Sequence, residues 1–202
     1  MAVQSENGAK PNFDIPGLTE HPVTRVSMKD ELVTIGPILP ADMGSLFVWL
    51  NDAQSAKLDL AFKPLDCIAF KGMFEQIAKD ASQVLFAIRK VDAPEIIGFT
   101  VLRNIQSVHR SAELGIRIGT EDERGKGIGA RAVALVLNYA WNSLNLQRVS
   151  LTVLAHNARA IASYRAAGFV VEGVLRQAAF IDGRWCDMAI MGALQSDTPR
   201  PH

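Results

Sequence analysis

The segment Asp122–Val133, DERGKGIGARAV, places glycines at 125, 127 and 129 directly after Arg124 and around Lys126, at the head of an apolar run. Glycine is needed where a neighbouring group must approach the main chain more closely than a Cβ permits. Cations beside bare backbone N–H groups mark that neighbour as an anion, and phosphate is the usual one. From Arg124 to Val171 the chain has no Asp or Glu, yet it carries Arg124, Lys126, Arg131, Arg148, Arg159 and Arg165. Lys+Arg and Asp+Glu both number 21 in the whole chain, so this asymmetry fits a ligand with several phosphates.

Three phosphate-binding patterns can be laid on the loop. GKGIGA satisfies G-x-G-x-x-A, a dinucleotide fingerprint that needs an acid about 20 positions further on for the ribose hydroxyls. The acid-free stretch supplies none, and too few strands follow for a doubly wound sheet. A P-loop, G-x-x-x-x-G-K-[ST], would put Thr120 at its first glycine and Gly127 at its metal-binding hydroxyl, and fails at both. The third pattern, R-x-x-G-x-G from Arg124 to Gly129, turns successive N–H groups into one concavity at the positive end of a helix. A glycine-rich turn without a ligand is the alternative that the loop alone leaves open.

The elements that must hold this loop follow from periodicity. LVTIGPIL (32–39) alternates like a strand, and Pro40 opens a helix over ADMGSLFVWLND. A second helix covers 67–80. Residues 83–90 and 96–104 form a hairpin, and 112–119 is a strand that runs straight into the loop. Ile128, Ala132, Leu135, Val136 and Tyr139 share one helical face. A strand at 148–155 precedes a short helix with Asn157 as its N-cap and Gly168 just past its end. Two final strands flank IDGR, whose Asp-Gly marks a hairpin turn. The order is βααβββαβαββ, an α/β (α+β) fold. The expected organisation is a disordered tail at 1–30, one domain at 31–194 and a short tail at 195–202.

Composition narrows the classes. With 202 residues, 49% of them apolar, and balanced charge, the chain can bury one core and is not a dedicated nucleic-acid binder. Cys67 and Cys186 have no paired spacing and read as reduced thiols of a cytoplasmic protein. Four scattered histidines give no metal-ligand spacing, so no metal is expected. No apolar run reaches the roughly 18 residues of a membrane span, and the polar N-terminus has no signal core.

Three separated motifs then carry a resemblance: R-x-x-G-x-G, N-x-x-A-x-x-x-Y-x-x-x-G-F over 157–169, and DGR…D over 182–187. The chain resembles the GNAT superfamily of acyl-CoA N-acyltransferases, most closely the branch of ribosomal-protein N-terminal, spermidine and nucleotide-aminosugar acetyltransferases. The match is strong over 111–194; residues 31–104 match only in order of elements. The resemblance implies a mixed, mostly antiparallel sheet that splays between its fourth and fifth strands, with acetyl-CoA as co-substrate lying in the splay. It assigns Ile116, Arg117 and Ile118 to main-chain contacts with the pantetheine arm. It gives Arg124, Gly125, Lys126, Gly127, Ile128, Gly129 and Ala130 to the pyrophosphate, and Asn157, Ala160, Tyr164 and Arg165 to the cofactor's other side.

Attack of an amine on a thioester needs no enzyme nucleophile. An amine must lose its proton, the carbonyl must be polarised, and the leaving thiolate must be protonated. A lysine-type amine sits about 3 units above pH 7, a cost of roughly 4 kcal/mol; an α-amine costs about 1 kcal/mol. Glu113, at the start of the strand entering the splay, is the candidate carboxylate for that proton, with a surface pair to Arg117 as the plain alternative. Tyr164 is the expected thiolate protonator, since the family places a tyrosine beside the sulfur. The acceptor should be chosen by residues 49–75 and 176–187. Asp52, Asp59 and Asp66 could serve a polyamine in part, while FVWLND with RSAELGIRIG favours a nucleotide-linked aminosugar. A protein N-terminus is the other acceptor considered. A catalytically silent acyl-CoA sensor is the alternative of another class, and a monomer or a homodimer fits either.

Overall fold

The computed structural model describes residues 28–56 and 63–197. Eight strands form one sheet in the order β1-β2-β3-β4-β5-β6-β8-β7. They are β1 (Met28–Lys29), β2 (Val33–Gly36), β3 (Val84–Lys90), β4 (Ile96–Gln106), β5 (Ser111–Ile118), β6 (Arg148–Leu154), β7 (Val170–Ile181) and β8 (Arg184–Leu194). The helices are α1 (Met43–Leu50), α2 (Ala53–Ala56), α3 (Cys67–Lys79), α4 (Ile128–Asn142) and α5 (Ala158–Ala166). Every pairing is antiparallel except β5 with β6.

β2 is shorter than the alternation over 32–39 suggests, because Pro37 follows Gly36 and has no N–H for the ladder. Pro40 opens a single tight turn, Pro40–Asp42, and the helix proper begins at Met43. Arg89 fastens this start to β3: it donates to the Pro94 carbonyl at 3.0 Å and pairs with buried Asp42. Two elements went unforeseen, β1 and the one-turn α2. The expected tail at 1–30 therefore needs correction at its end, since Met28 and Lys29 pair with Ile35 and Thr34. Residues 1–27 and 198–202 lie outside the described residues.

Alternation in the strands divides the core in two. On one face Ile88, Leu102, Leu114, Val149 and Met191 meet the buried stripe of α4. That stripe is wider than the one face expected, because Val133, Leu137 and Trp141 are buried as well. On the other face Ala87 meets Met43, Leu46 and Phe70 from α1 and α3, with Phe99 packed alongside. Fully burying side chains of this size contributes about 1.5–3 kcal/mol each. The closing hairpin turns at Asp182 and Gly183, both at positive φ (51° and 76°) as a mirror-image turn requires.

The site depends on one feature of the ladder. β5 and β6 pair in parallel at only three positions, Ser111↔Arg148, Ala112↔Val149 and Glu113↔Ser150. Beyond them the two strands diverge while each keeps its other neighbour.

Candidate acyl-CoA site

A cavity of about 410 Å³ opens where β5 and β6 part. Ile116, Arg117 and Ile118 line it from β5, and Thr152, Val153 and Leu154 from β6. Main-chain groups alternate along a strand. Thr100 Oγ1 donates to the Gly115 carbonyl at 3.0 Å, and the Gly119 N–H donates to Ile97 across the β4 side. By that alternation the main-chain groups of Ile116 and Ile118 face the gap, and those of Arg117 face β4. Arg117 instead sends its side chain to the carbonyl of Trp49, at 2.8 Å.

The glycine loop and two helix starts close the cavity. Gly125, Gly127, Gly129 and Ala130 line it from the head of α4; Asn157, Arg159, Ala160, Ser163 and Tyr164 line it from α5. The first N–H groups of any helix lack intrahelical partners and carry partial positive charge. In α5 one of them is already taken, as Asn157 accepts from the Ala160 N–H at 3.1 Å. Gly125 and Gly127 have φ of 82° and 80°, and a Cβ at either would meet open space. These glycines are set by conformation and by the room they leave. Arg124 anchors the loop, donating through Nε to the Ile118 carbonyl at 3.0 Å and through Nη2 to the Gly119 carbonyl at 3.3 Å.

Several expected residues lie elsewhere. Ile128 is buried in the core beneath α4, so only its main chain can serve a ligand. Lys126 reaches Glu123 at 3.4 Å. Glu123 also holds Lys90 at 2.7 Å, and its carboxyl lies below the ordinary range, chiefly through the Lys90 hydrogen bond. Arg165 is exposed and outside the cavity wall, while Arg159, six residues earlier, is in it. Glu113 also stands outside the wall, 45% exposed and paired with Arg103 at 3.2 Å rather than with Arg117. Tyr164 lines the cavity with its ring edge-on to Phe169, centroids 6.0 Å apart. Thr152 and Ser163 carried no spacing signal and were missed.

The acid-free stretch is compensated in space. Arg131 meets Asp30 at 2.9 Å, and Arg148 binds Glu172 through two nitrogens, one of them at 2.6 Å. Among the described residues Arg159 and Arg165 have no carboxylate partner. Among the described residues no three His, Cys, Asp or Glu side chains converge as metal ligands. No helix there is long and apolar enough to cross a membrane.

On the acceptor side, Asp66 caps α3 by accepting from the Ala69 N–H at 2.8 Å, and Asp52 accepts from Gln54 at 3.0 Å. Asp59 lies outside the described residues.

A family model described as "Acetyltransferase (GNAT) domain" matches residues 33–170. The chain is 40% identical over 101 residues to a spermidine N(1)-acetyltransferase of Vibrio cholerae, covering 50% of this chain and 58% of that protein. It is 31% identical over 102 residues to a putative ribosomal N-acetyltransferase, YdaF, of Bacillus subtilis, covering 50% and 55%. The chain thus spans less than two thirds of the length of these curated relatives. Among solved structures, the spermidine N-acetyltransferase of Vibrio cholerae in complex with CoA and spermine superposes with a TM-score of 0.75 at 28% identity, over 82% of this chain and 96% of that one.

Proposed function

Since the chain belongs to the GNAT acetyltransferase family, we propose that it transfers an acetyl group from acetyl-CoA to a primary amine, with a polyamine as the first acceptor class to test. The observation that carries this reading is the cavity in the β5–β6 splay, where strand edges, glycine loop and two helix starts face one space. The residues fit the group: positive-φ glycines leave room beside unpaired N–H groups, and Arg159 adds a cation. When bound, acetyl-CoA supplies an activated thioester.

The chain's own residues then have three roles. Main-chain N–H groups of Ile116 and Ile118 face the gap, where they can orient the pantetheine arm and polarise the carbonyl. The amine nitrogen would form the new N–C bond as the C–S bond breaks. The Tyr164 hydroxyl would give its proton to the leaving thiolate and regain one through water from the nitrogen, which sheds its second proton on becoming an amide. With Glu113 on the strand but outside the cavity wall, the ammonium proton leaves through water, with Glu113 as a terminal acceptor once Arg103 is displaced.

The polyamine class is supported by the spermidine enzymes among the similar proteins. The aminosugar preference drawn from FVWLND and RSAELGIRIG has no such support among the relatives named above. Asp52 and Asp66 would have to share their oxygens between backbone and ligand. The two free cysteines fit a reducing, cytoplasmic setting.

Free thiol should appear when the protein is mixed with acetyl-CoA and spermidine, with mass spectrometry showing the monoacetylated amine. A panel including a peptide α-amine and a nucleotide aminosugar ranks the acceptors. Tight acetyl-CoA binding without thiol release across that panel would replace this reading with the sensor.

A further inference from the structure

Trp49, in the last turn of α1, does not line the cavity. Its indole nevertheless lies against the main chain at the point where β5 becomes the anion loop. A methyl group at Gly119 would overlap ring carbons Cδ2 and Cε2 of Trp49. Gly119 therefore lacks a side chain because the indole occupies that place, and its φ is not in the left-handed range. A second contact fixes the same turn, since Arg117 donates to the Trp49 carbonyl at 2.8 Å.

The peptide under the indole is also the one that holds the loop. Arg124 takes the Ile118 and Gly119 carbonyls through two separate nitrogens. The Gly119 N–H is pinned to the Ile97 carbonyl at 3.0 Å, so the peptide cannot swing away from β4. From the end of α1, close contacts run from Trp49 to Gly119 and from Gly119 to Arg124, whose own main chain leads directly into the glycines at 125 and 127. Asn51, two residues past Trp49, binds the Leu65 main chain through both its oxygen (2.8 Å) and its nitrogen (3.1 Å). The approach to α3 is thus tied to the same turn. Close-packed contacts of this kind transmit displacement because they have no slack.

We infer that Trp49 is a positioning residue: it couples the α1–α3 wall to the acyl-CoA loop through Gly119, so that occupancy of the cavity is felt at α1. The inference rests on the acyl-CoA reading of the cavity. Coupling is reciprocal, so removing the indole should also loosen the loop, although Trp49 lines none of the cavity. The conservative change to Phe keeps a flat ring over Gly119 and should recover most of the effect.

The wild-type chain labelled with 5-fluorotryptophan provides the test, with the Trp49 resonance assigned by its loss in Trp49→Phe. CoA is the probe, so no acceptor has to be known. The Trp49 resonance should move with CoA, and its titration should give the dissociation constant found by calorimetry. Trp49→Ala should weaken CoA roughly 5- to 50-fold, and Trp49→Phe should bind within a few-fold of wild type. CoA binding that leaves the Trp49 resonance in place overturns the coupling alone, as does a folded Trp49→Ala that binds CoA like wild type. If calorimetry detects no CoA binding, the acyl-CoA reading falls and the coupling falls with it.

Discussion

Asp30 and Arg131 lie 101 positions apart in the chain and meet at 2.9 Å, joining the β1–β2 turn to the head of α4. Asp30 also accepts from the N–H groups of Leu32 and Val33, at 2.8 and 2.7 Å, which turns the chain from β1 into β2. One carboxylate therefore makes the β1–β2 turn and neutralises a cation beside the anion loop.

That arrangement has a pH signature. Burial pushes the Asp30 carboxyl up, but the Leu32 and Val33 N–H groups and Arg131 outweigh it and hold it below the usual range. A carboxyl depressed in the folded chain adds stability above its unfolded pKa, and that stability is lost as pH falls through the folded value. Asp30→Asn should therefore lower the melting temperature at pH 7, with the gap to wild type closing as pH falls below about 4. Both side chains are partly exposed, at 40% and 27%, so a double-mutant cycle should give a coupling of no more than about 1 kcal/mol. A gap that stays constant from pH 7 to pH 3 would refute the assignment.

Gly127 and Gly129 line the cavity for different reasons, and their alanine variants should separate accordingly. Gly127 has φ of 80°, where an L side chain is strained by about 1–2 kcal/mol, so Gly127→Ala should lose both stability and acetyl-CoA binding. Gly129 lies inside α4, and its Cβ would meet Ser163 Oγ at an ordinary 3.6 Å. Alanine there favours the helix by up to about 1 kcal/mol. Gly129→Ala should melt no lower than wild type yet bind acetyl-CoA at least ~10-fold more weakly, read by thermal denaturation and calorimetry. Unchanged affinity would move the pyrophosphate away from the head of α4.

Tyr164→Phe keeps the ring that packs on Phe169 and removes the hydroxyl. Loss of a proton donor typically costs 10²–10⁴-fold, so kcat should fall by that order while acetyl-CoA affinity stays within about 2-fold. Solvent-isotope and pH profiles of the variant should lose the limb that reports the donor. Wild-type kcat in Tyr164→Phe would leave Tyr164 as a packing residue, with water protonating the thiolate.

The parts of this molecule legible in the sequence are those fixed by local chemistry. Asn157 and Gly168 bracket α5 because a side-chain cap and a φ of 98° each select a residue type. Asp182-Gly183 announces its turn for the same reason. What escaped was set by distant partners. β1 is two residues long and exists through its pairing with β2, so it has no period to read. Glu113 looked placed for the splay, but strand alternation and Arg103 hold it on the α1–α3 face. The resemblance gave Arg165 to the cofactor, whereas Arg159 is the arginine of α5 in the cavity wall. Both stand beside motif residues, and only the docking of α5 on α4 shows which one faces the cavity.

The arginines give the sharpest test, because the acid-free stretch predicts one result from sequence and another from space. Read along the chain, Arg131, Arg148, Arg159 and Arg165 belong to one acid-free positive stretch, and the resemblance gives the cofactor contact to Arg165. In the fold Arg131 and Arg148 hold carboxylates, Arg165 is exposed away from the cavity, and Arg159 lines it. Exposed charges are screened within about 8–10 Å at physiological salt, whereas close phosphate contacts are screened less. A hydrogen bond to a charged group contributes about 1.5–3 kcal/mol. Arg159→Gln should therefore weaken acetyl-CoA by ~10-fold or more at 150 mM salt, and the Gln variants of Arg131, Arg148 and Arg165 should stay within about 2-fold. Arg124→Ala should cost as much as Arg159→Gln by a different route, since it releases the carbonyls of Ile118 and Gly119 that anchor the loop. Hydrogen exchange at residues 118–127 would then rise in Arg124→Ala and stay as in wild type for Arg159→Gln. Equal losses in Arg159→Gln and Arg165→Gln would mean that the cofactor feels only the summed charge of the face, and that the cavity wall assigns no contact to Arg159.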